Sequence, residues 1–184
     1  TLVTTYNFTN HLIALEDKFA GKEIDLNKSE LTLHKIRTSN TIIANGHIER
    51  FISFRNNDLP GVMLASSFEK YIHRYGVVPE KEPVIFTNNS SSLSLLKTLI
   101  NLGCKPKAYV DYRKKDNIET EIKKILKDKK IPFFSDAEIE GCDGNKRVET
   151  ITIRQGKSFN KLKSSMLCVS GGYNPDIHLF TQSK

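Results

Sequence analysis

No stretch of the 184-residue sequence approaches the roughly 20 consecutive apolar residues that a membrane-spanning helix needs, so no membrane association is expected. Cysteine is scarce. Cys104, Cys142 and Cys168 are odd in number, far apart and without a C-x-x-C pair, which argues against a disulfide framework, a redox dithiol and a zinc site and favours a reducing cytoplasm. The opening residues TLVTTYNFTN lack the charged, apolar and small-residue regions of a signal peptide, and they begin on Thr1 rather than Met. The sequence is therefore read as a piece of a longer polypeptide.

Catalytic signatures are also missing. Ser90, Ser91 and Ser92 have no G-x-S-x-G frame, and there is no H-E-x-x-H and no paired-carboxylate arrangement. The five histidines are scattered. His47 and Glu49 stand two apart in an extended segment, which places them on one face and reads as a surface pair. His73 lies on a helical pattern, and His178 follows the Asn174-Pro175 turn. No catalytic residue and no metal ligand is assigned.

What the chain has in excess is lysine, 21 against 7 arginines, giving a net charge of +7. A basic field raises association with polyanions. The densest block, ETEIKKILKDKK, places Ile122, Ile125 and Leu126 on one helical face and the lysines on the other, which reads as a solvated surface. No aromatic residues are interleaved for base stacking, so no nucleic-acid partner is assigned.

Along the chain, LVTTY, HLIALE and the alternating LTLHKIR read as strands, with the polar NFTN and TSN as turns, followed by TIIANG as a short buried strand. FRNNDLPGVM carries loop signals. LASSFEKYIHRY has Leu64, Phe68, Tyr71, Ile72 and Tyr75 at helical spacing, with Ser66 or Ser67 available for capping and Gly76 closing the helix. PVIF, a helix from Ser90 to Asn101, KAYVDY, a helix from Asn117 to Lys129, and IPFF then alternate as strand and helix. That order specifies an α/β fold with a parallel sheet. AEIEG and VETITIRQ read as strands about an Asp143-Gly144 turn, GKSFNKLKSS as a polar connection, and MLCVS as a strand running into a Gly171-Gly172 and Asn174-Pro175 loop. TIIANG and MLCVSGG flank the α/β unit without helices of their own and are expected to share a second sheet. The expected domains are residues 1–59, a partial first dinucleotide domain; 60–160, an inserted Rossmann-like domain; and 161–184, a returning strand and loop.

The stretch VIFTNNSSSLSLLKTLI, Val84 to Ile100, has the strand, turn and helix of a βαβ nucleotide unit. The glycines of G-x-G-x-x-G are replaced by Thr87, Asn89 and Ser92, whose side chains occupy the space through which backbone would approach a pyrophosphate. Asp111, 24 residues past Thr87, stands where a ribose-binding carboxylate is expected, and Arg113 where a guanidinium would neutralise a phosphate. Asp111 ending a strand and the serines capping a helix is the competing structural reading. ANG (Ala44 to Gly46) and SGG (Ser170 to Gly172) are paired strand ends on glycine, read together as two crossings over one cofactor.

The run TIIANGHIERFISFRNNDLPGVMLASSFEKYIHRYGVVP, together with VIFTNNSSSLSLL and VSGGYNPDIHLFTQS, resembles the alpha subunit of heterotetrameric sarcosine oxidase, and the resemblance runs from about Thr1 to Lys184. It implies a pyridine-nucleotide-disulfide oxidoreductase fold, with an inserted dinucleotide-type domain flanked by strands of the first. It also implies cofactor contacts at Asn45, Gly46, Gly171 and Gly172, with Asp111 as a further candidate. Asn45 stands where the family pattern has Thr, and Phe51 where it has Pro. In that family NAD is held by the alpha subunit and FAD and FMN by the complex, and sarcosine is demethylated with oxygen and tetrahydrofolate. The implied partners are the beta, gamma and delta subunits, with tetrahydrofolate taken by a C-terminal region outside this sequence. The N-terminal G-x-G-x-x-G unit is likewise outside it, so the isolated piece is expected to bind no cofactor tightly. Related amine or amino-acid dehydrogenases acting on proline, opines or glycine share the architecture, and a non-catalytic assembly module is the reading from outside the enzyme class.

Overall fold

A computed structural model describes residues 2–5, 11–17, 31–37 and 42–182. The chain divides into two compact units, Thr1–Ile48 with Pro175–Lys184, and Glu49–Asn174.

The first unit contains β1 (Leu2–Thr5), β2 (His11–Asp17) and β3 (Leu31–Arg37), an antiparallel sheet in the order β1-β2-β3. Its register runs from Leu2 opposite Leu15 to His11 opposite Arg37. The expected turns NFTN and TSN, and Thr41, lie outside the described residues. Ile42 to Gly46 is not the buried strand that its apolar run suggests, and Ile42 is 94% exposed. An apolar run becomes a strand only where neighbours take up its backbone groups. Here the partner is a loop: Asn45 Nδ2 donates to the Asp176 carbonyl (3.1 Å), and the Asp176 amide donates to the Gly46 carbonyl (3.1 Å).

The second unit begins within β4 (His47–Glu49) and continues through β5 (Val62–Leu64), α1 (Ala65–Tyr75), β6 (Val84–Thr87), α2 (Ser92–Asn101), β7 (Ala108–Asp111), α3 (Thr120–Asp128) and β8 (Phe133–Ser135). An antiparallel meander of β9 (Glu138–Asp143), β10 (Thr150–Gln155) and β11 (Ser158–Lys163) follows, then β12 (Leu167–Ser170) and β13 (Tyr173–Pro175). The main sheet is five-stranded, in the order β5-β12-β6-β7-β8, and its pairs are parallel. The short helix α4 (His178–Gln182) returns to the first unit.

Both faces of this sheet are covered, which explains why its inner strands are continuous apolar runs rather than alternating ones. Ile85, Tyr109 and Cys168 pack against a helical layer built on Phe68, Leu95, Leu96, Leu99, Ile122 and Leu126. Their neighbours Val84, Phe86, Ala108, Val110, Leu167 and Val169 pack against Ile139, Cys142, Val148, Ile151 and Ile153 of the meander side. Strand periodicity of two assigns each set to its face.

Further sequence expectations change. MLCVS does not join a second sheet with TIIANG: β12 lies between β5 and β6 inside the parallel sheet. A strand buried on both faces needs neighbours, and β5 and β6 supply them. The polar GKSFNKLKSS contains strand β11, which is exposed along most of its length and pairs only with β10, so its sequence carries no apolar signal. Gly76 closes α1 in the left-handed conformation (φ 65°), as its position suggests. Ser66 and Ser67 do not cap α1. Instead the Ser66 amide donates to Glu49 Oε2 (2.8 Å), so a carboxylate from a distant strand serves the helix N-terminus.

The Tyr109 hydroxyl is buried 2.7 Å from Ser92 Oγ at the start of α2, and burial pushes its phenol well above the usual range. Tyr109→Phe leaves the Ser92 hydroxyl without that partner. It is expected to destabilise the unit by about 1–2 kcal/mol, seen as a lower urea midpoint by circular dichroism.

Candidate functional site

Strand β6 leaves through α2 toward β7, while β12 lies on its other side. In an open parallel sheet, ligands bind outside the carboxyl ends of the strands at such a reversal of order. Thr87 to Ser91 and Ser170 to Gly172 are the loops that meet there.

They meet through the chain's own polar atoms. Asn89 Nδ2 donates to the Ser170 carbonyl (2.9 Å), the Asn88 amide donates to the same carbonyl (3.3 Å), and the Ser91 and Ser170 hydroxyls are 3.0 Å apart. Three of the amides placed to cradle a phosphate have internal acceptors. The Asn89 amide donates to Thr87 Oγ1 (3.1 Å), the Ser91 amide to Asn89 Oδ1 (2.8 Å), and the Leu93 amide to the Ser90 carbonyl (3.1 Å). Thr87 Oγ1 in turn donates to the Asn89 carbonyl (2.9 Å). Where a glycine turn presents bare N–H groups, this turn ties up those of Asn89, Ser91 and Leu93 itself. The residues present do not fit a dinucleotide pyrophosphate at this position.

The ribose side is closed in the same way. Asp111 is fully buried, and Arg113 engages both of its oxygens, with Nε to Oδ1 at 3.1 Å, a terminal nitrogen to Oδ2 at 2.9 Å, and the Arg113 amide to Oδ1 at 2.9 Å. The other arm of the guanidinium donates to Ser90 Oγ (3.1 Å) and to the Asn117 carbonyl (3.3 Å), and the first arm also reaches Glu119 (3.4 Å). Ser90 Oγ donates to Glu119 as well. Hydrogen bonding from Ser90, and then from Arg113, holds the Glu119 carboxyl below its ordinary range. Asp111 thus ends its strand as half of an internal ion pair. Arg113, weighed in the sequence only as a phosphate ligand, holds the cluster together. Glu119 gave no signal in the sequence, because its pairing depends on the α2 turn and the loop before α3 being adjacent.

The glycine pairs have separate structural reasons. The Gly171 amide donates to the Arg50 carbonyl (2.9 Å) and the Arg50 amide to the Gly172 carbonyl (2.7 Å). A Cβ on Gly171 would lie 2.6 Å from the Arg50 oxygen, and Gly172 adopts φ +85°. What passes close to Gly171 is therefore the chain's own backbone. Asn45 and Gly46 belong to the first unit, where they bond Asp176. Glu49, expected at the surface, is buried at 8% exposure, and its Oε1 has no hydrogen-bond partner among the described residues. Its charge, after burial itself, raises the Tyr173 phenol and the fully buried Cys168 thiol.

No protein-family model matches the chain. Over 147 residues, 80% of the chain, it is 32% identical to the sarcosine oxidase subunit alpha of Rhizobium meliloti (strain 1021), and over 154 residues 29% identical to that of Corynebacterium sp. (strain U-96). The chain resembles one segment of sarcosine oxidase alpha subunits. It spans 14% and 16% of the length of these two relatives. Among solved structures, thioredoxin reductase from T. acidophilum matches 98% of the chain and 54% of that protein, with a TM-score of 0.65 at 12% identity. L-proline dehydrogenase from P. horikoshii matches 98% of the chain and 28% of that protein, with a TM-score of 0.53 at 17% identity. The fold is of the pyridine-nucleotide-disulfide oxidoreductase type, as the sequence resemblance implied. Among the described residues, no helix is long and apolar enough to cross a membrane.

Proposed function

We propose that this chain is the dinucleotide-domain scaffold of a sarcosine oxidase alpha subunit. The assembled enzyme converts sarcosine, oxygen and tetrahydrofolate into glycine, methylene-tetrahydrofolate and hydrogen peroxide. NAD belongs to a different part of the full-length alpha subunit, FAD and FMN to the complex with the beta, gamma and delta subunits, and the folate to a region beyond this segment. Asn45 and Gly46 serve this scaffold through the Asp176 loop of the first unit, and Gly171 and Gly172 through the Arg50 backbone within the second. Asp111 serves it through Arg113. The observation that supports a scaffold role is the self-satisfied turn after β6, whose Asn89 and Ser91 amides donate to the turn's own side chains.

Two measurements test the reading at its two levels. Titrated calorimetrically with NAD and with ADP, the chain is expected to show no saturable binding below about 1 mM, equivalent to less than about 4 kcal/mol of binding free energy; micromolar affinity for either would overturn the scaffold role. Co-expressed with its partner subunits, the full-length polypeptide that contains this segment is expected to release hydrogen peroxide from sarcosine. The structural likeness to L-proline dehydrogenase supports a second reading, an alpha subunit of an amino-acid dehydrogenase. Oxidation of L-proline with no peroxide from sarcosine would replace the first reading by the second.

A further inference from the structure

The lysine-rich block of α3 is not a uniformly solvated face. Lys123 and Lys127, one helical turn apart, converge with Lys115 from the turn before the helix on a cleft of about 310 Å³ whose remaining wall is Leu126, Ile131 and Phe133. Leu126 and Ile131 are almost entirely buried core residues, and Phe133 is half-buried and packs on Tyr109. Phe133 therefore supplies most of the apolar surface open to the cleft, beside Leu126 and Ile131 at the end of the helical core layer and next to β8, the edge strand of the parallel sheet. Lys123 Nζ donates to the Lys115 carbonyl (3.3 Å), which ties one ammonium to the turn before α3. None of the six lining residues is acidic.

We propose that this cleft binds a small amphiphilic anion: a carboxylate on a short acyl or aryl body. Three properties of the lining select such an anion. Three cations with no lining carboxylate attract an anion, and Coulomb attraction between partly shielded groups is several-fold stronger than in bulk water. An apolar floor selects an anion with an apolar body over acetate or chloride, since each buried methylene adds about 0.8 kcal/mol. The volume lies at the lower end of small-molecule sites, about 300–1,000 Å³. A nucleic acid would need further cations and stacking rings along a track, and the cleft offers a single half-open cluster.

The test uses octanoate, with acetate and octanol as controls, followed by saturation-transfer NMR and calorimetry on the chain. Octanoate is expected to bind saturably, at least tenfold more tightly than either control. The double variant Lys123→Gln/Lys127→Gln is expected to weaken octanoate at least tenfold while the chain stays folded by circular dichroism. Equal binding of acetate and octanoate would reduce the cleft to a counterion surface. Equal binding of octanol and octanoate would show that the lysines do not recognise the carboxylate and would overturn the site. Lack of saturation by about 10 mM octanoate, or an unaffected double variant, refutes the site. Retention on phosphatidylglycerol vesicles without any response to free octanoate would mean that the cluster reads a membrane surface instead, and would also overturn it.

Discussion

Arg113→Met is expected to destabilise the second unit by about 3–5 kcal/mol, the usual cost of removing one partner from a buried ion pair. Asp111 is fully buried at the end of β7, and Arg113 supplies three of the hydrogen bonds to its carboxylate, two from the guanidinium and one from the backbone. Methionine keeps the backbone amide and much of the side-chain volume, so the loss isolates the guanidinium. Arg113→Lys is expected to recover only part of the stability, because an ammonium cannot span Asp111, Ser90 and Glu119 at once. The decisive comparison is a double-mutant cycle with Asp111→Asn. The double variant should be more stable than Arg113→Met alone, since the buried charge is then gone. The chain lacks tryptophan, so urea denaturation followed by circular dichroism is the readout. A loss under about 1 kcal/mol for Arg113→Met would show that the pair is not what closes the ribose side.

The same cluster gives an acid signature with a defined sign. The Glu119 carboxyl is lowered from its ordinary 4.5, first by Ser90, then by its own backbone amide and by Arg113. A depressed carboxyl contributes stability that is fully present above the unfolded value and is lost as the pH falls through the folded one. The destabilisation by Glu119→Gln should therefore shrink below pH about 4.5. Because the Glu119 side chain is 44% exposed, solvent screening keeps this contribution small.

Legibility in the sequence followed the range of the interactions involved. The βαβ core was readable because VIF, AYV and the helical face of Ile122 and Leu126 report local burial, and a strand covered on both faces announces itself as a continuous apolar run. Strand β11 was not readable, since an exposed strand is specified by its partner β10 rather than by its own composition. TIIANG misled for the opposite reason: its composition suits a strand, but Asn45 and Gly46 bond a loop at Asp176. At the candidate site, the absence of glycine after β6 was visible in the sequence. The internal acceptors that replace a ligand were not, because Ser90 with Glu119 and Asn89 with Ser170 join positions 29 and 81 residues apart.

Gly171→Ala is the second large effect expected, and it separates two reasons for which glycine occupies a loop. Gly171 does not need a left-handed backbone. It needs the absence of a side chain, because a Cβ would fall 2.6 Å from the Arg50 carbonyl oxygen and 3.1 Å from its carbon. Ile52 Cγ1 also lies 3.1 Å away, but the Arg50 atoms are backbone, so relief requires the two chain passages to separate. That movement strains the Gly171 amide to Arg50 carbonyl bond and the Arg50 amide to Gly172 carbonyl bond. Overpacking costs about 1–3 kcal/mol, and two weakened backbone bonds add about 1 kcal/mol each. The sum is about 3–5 kcal/mol, with faster hydrogen exchange at the Arg50 amide as the local readout. Gly46→Ala is the matched control: it has φ +80° with no atom within 4 Å of the added Cβ, so only the left-handed penalty of about 1–2 kcal/mol applies. If the two substitutions cost the same and the Arg50 amide stays protected, the close backbone passage is not what requires glycine at position 171. If Gly171→Ala costs several-fold more, the second glycine pair is explained by the chain's own Arg50 backbone, with no bound cofactor needed to account for it.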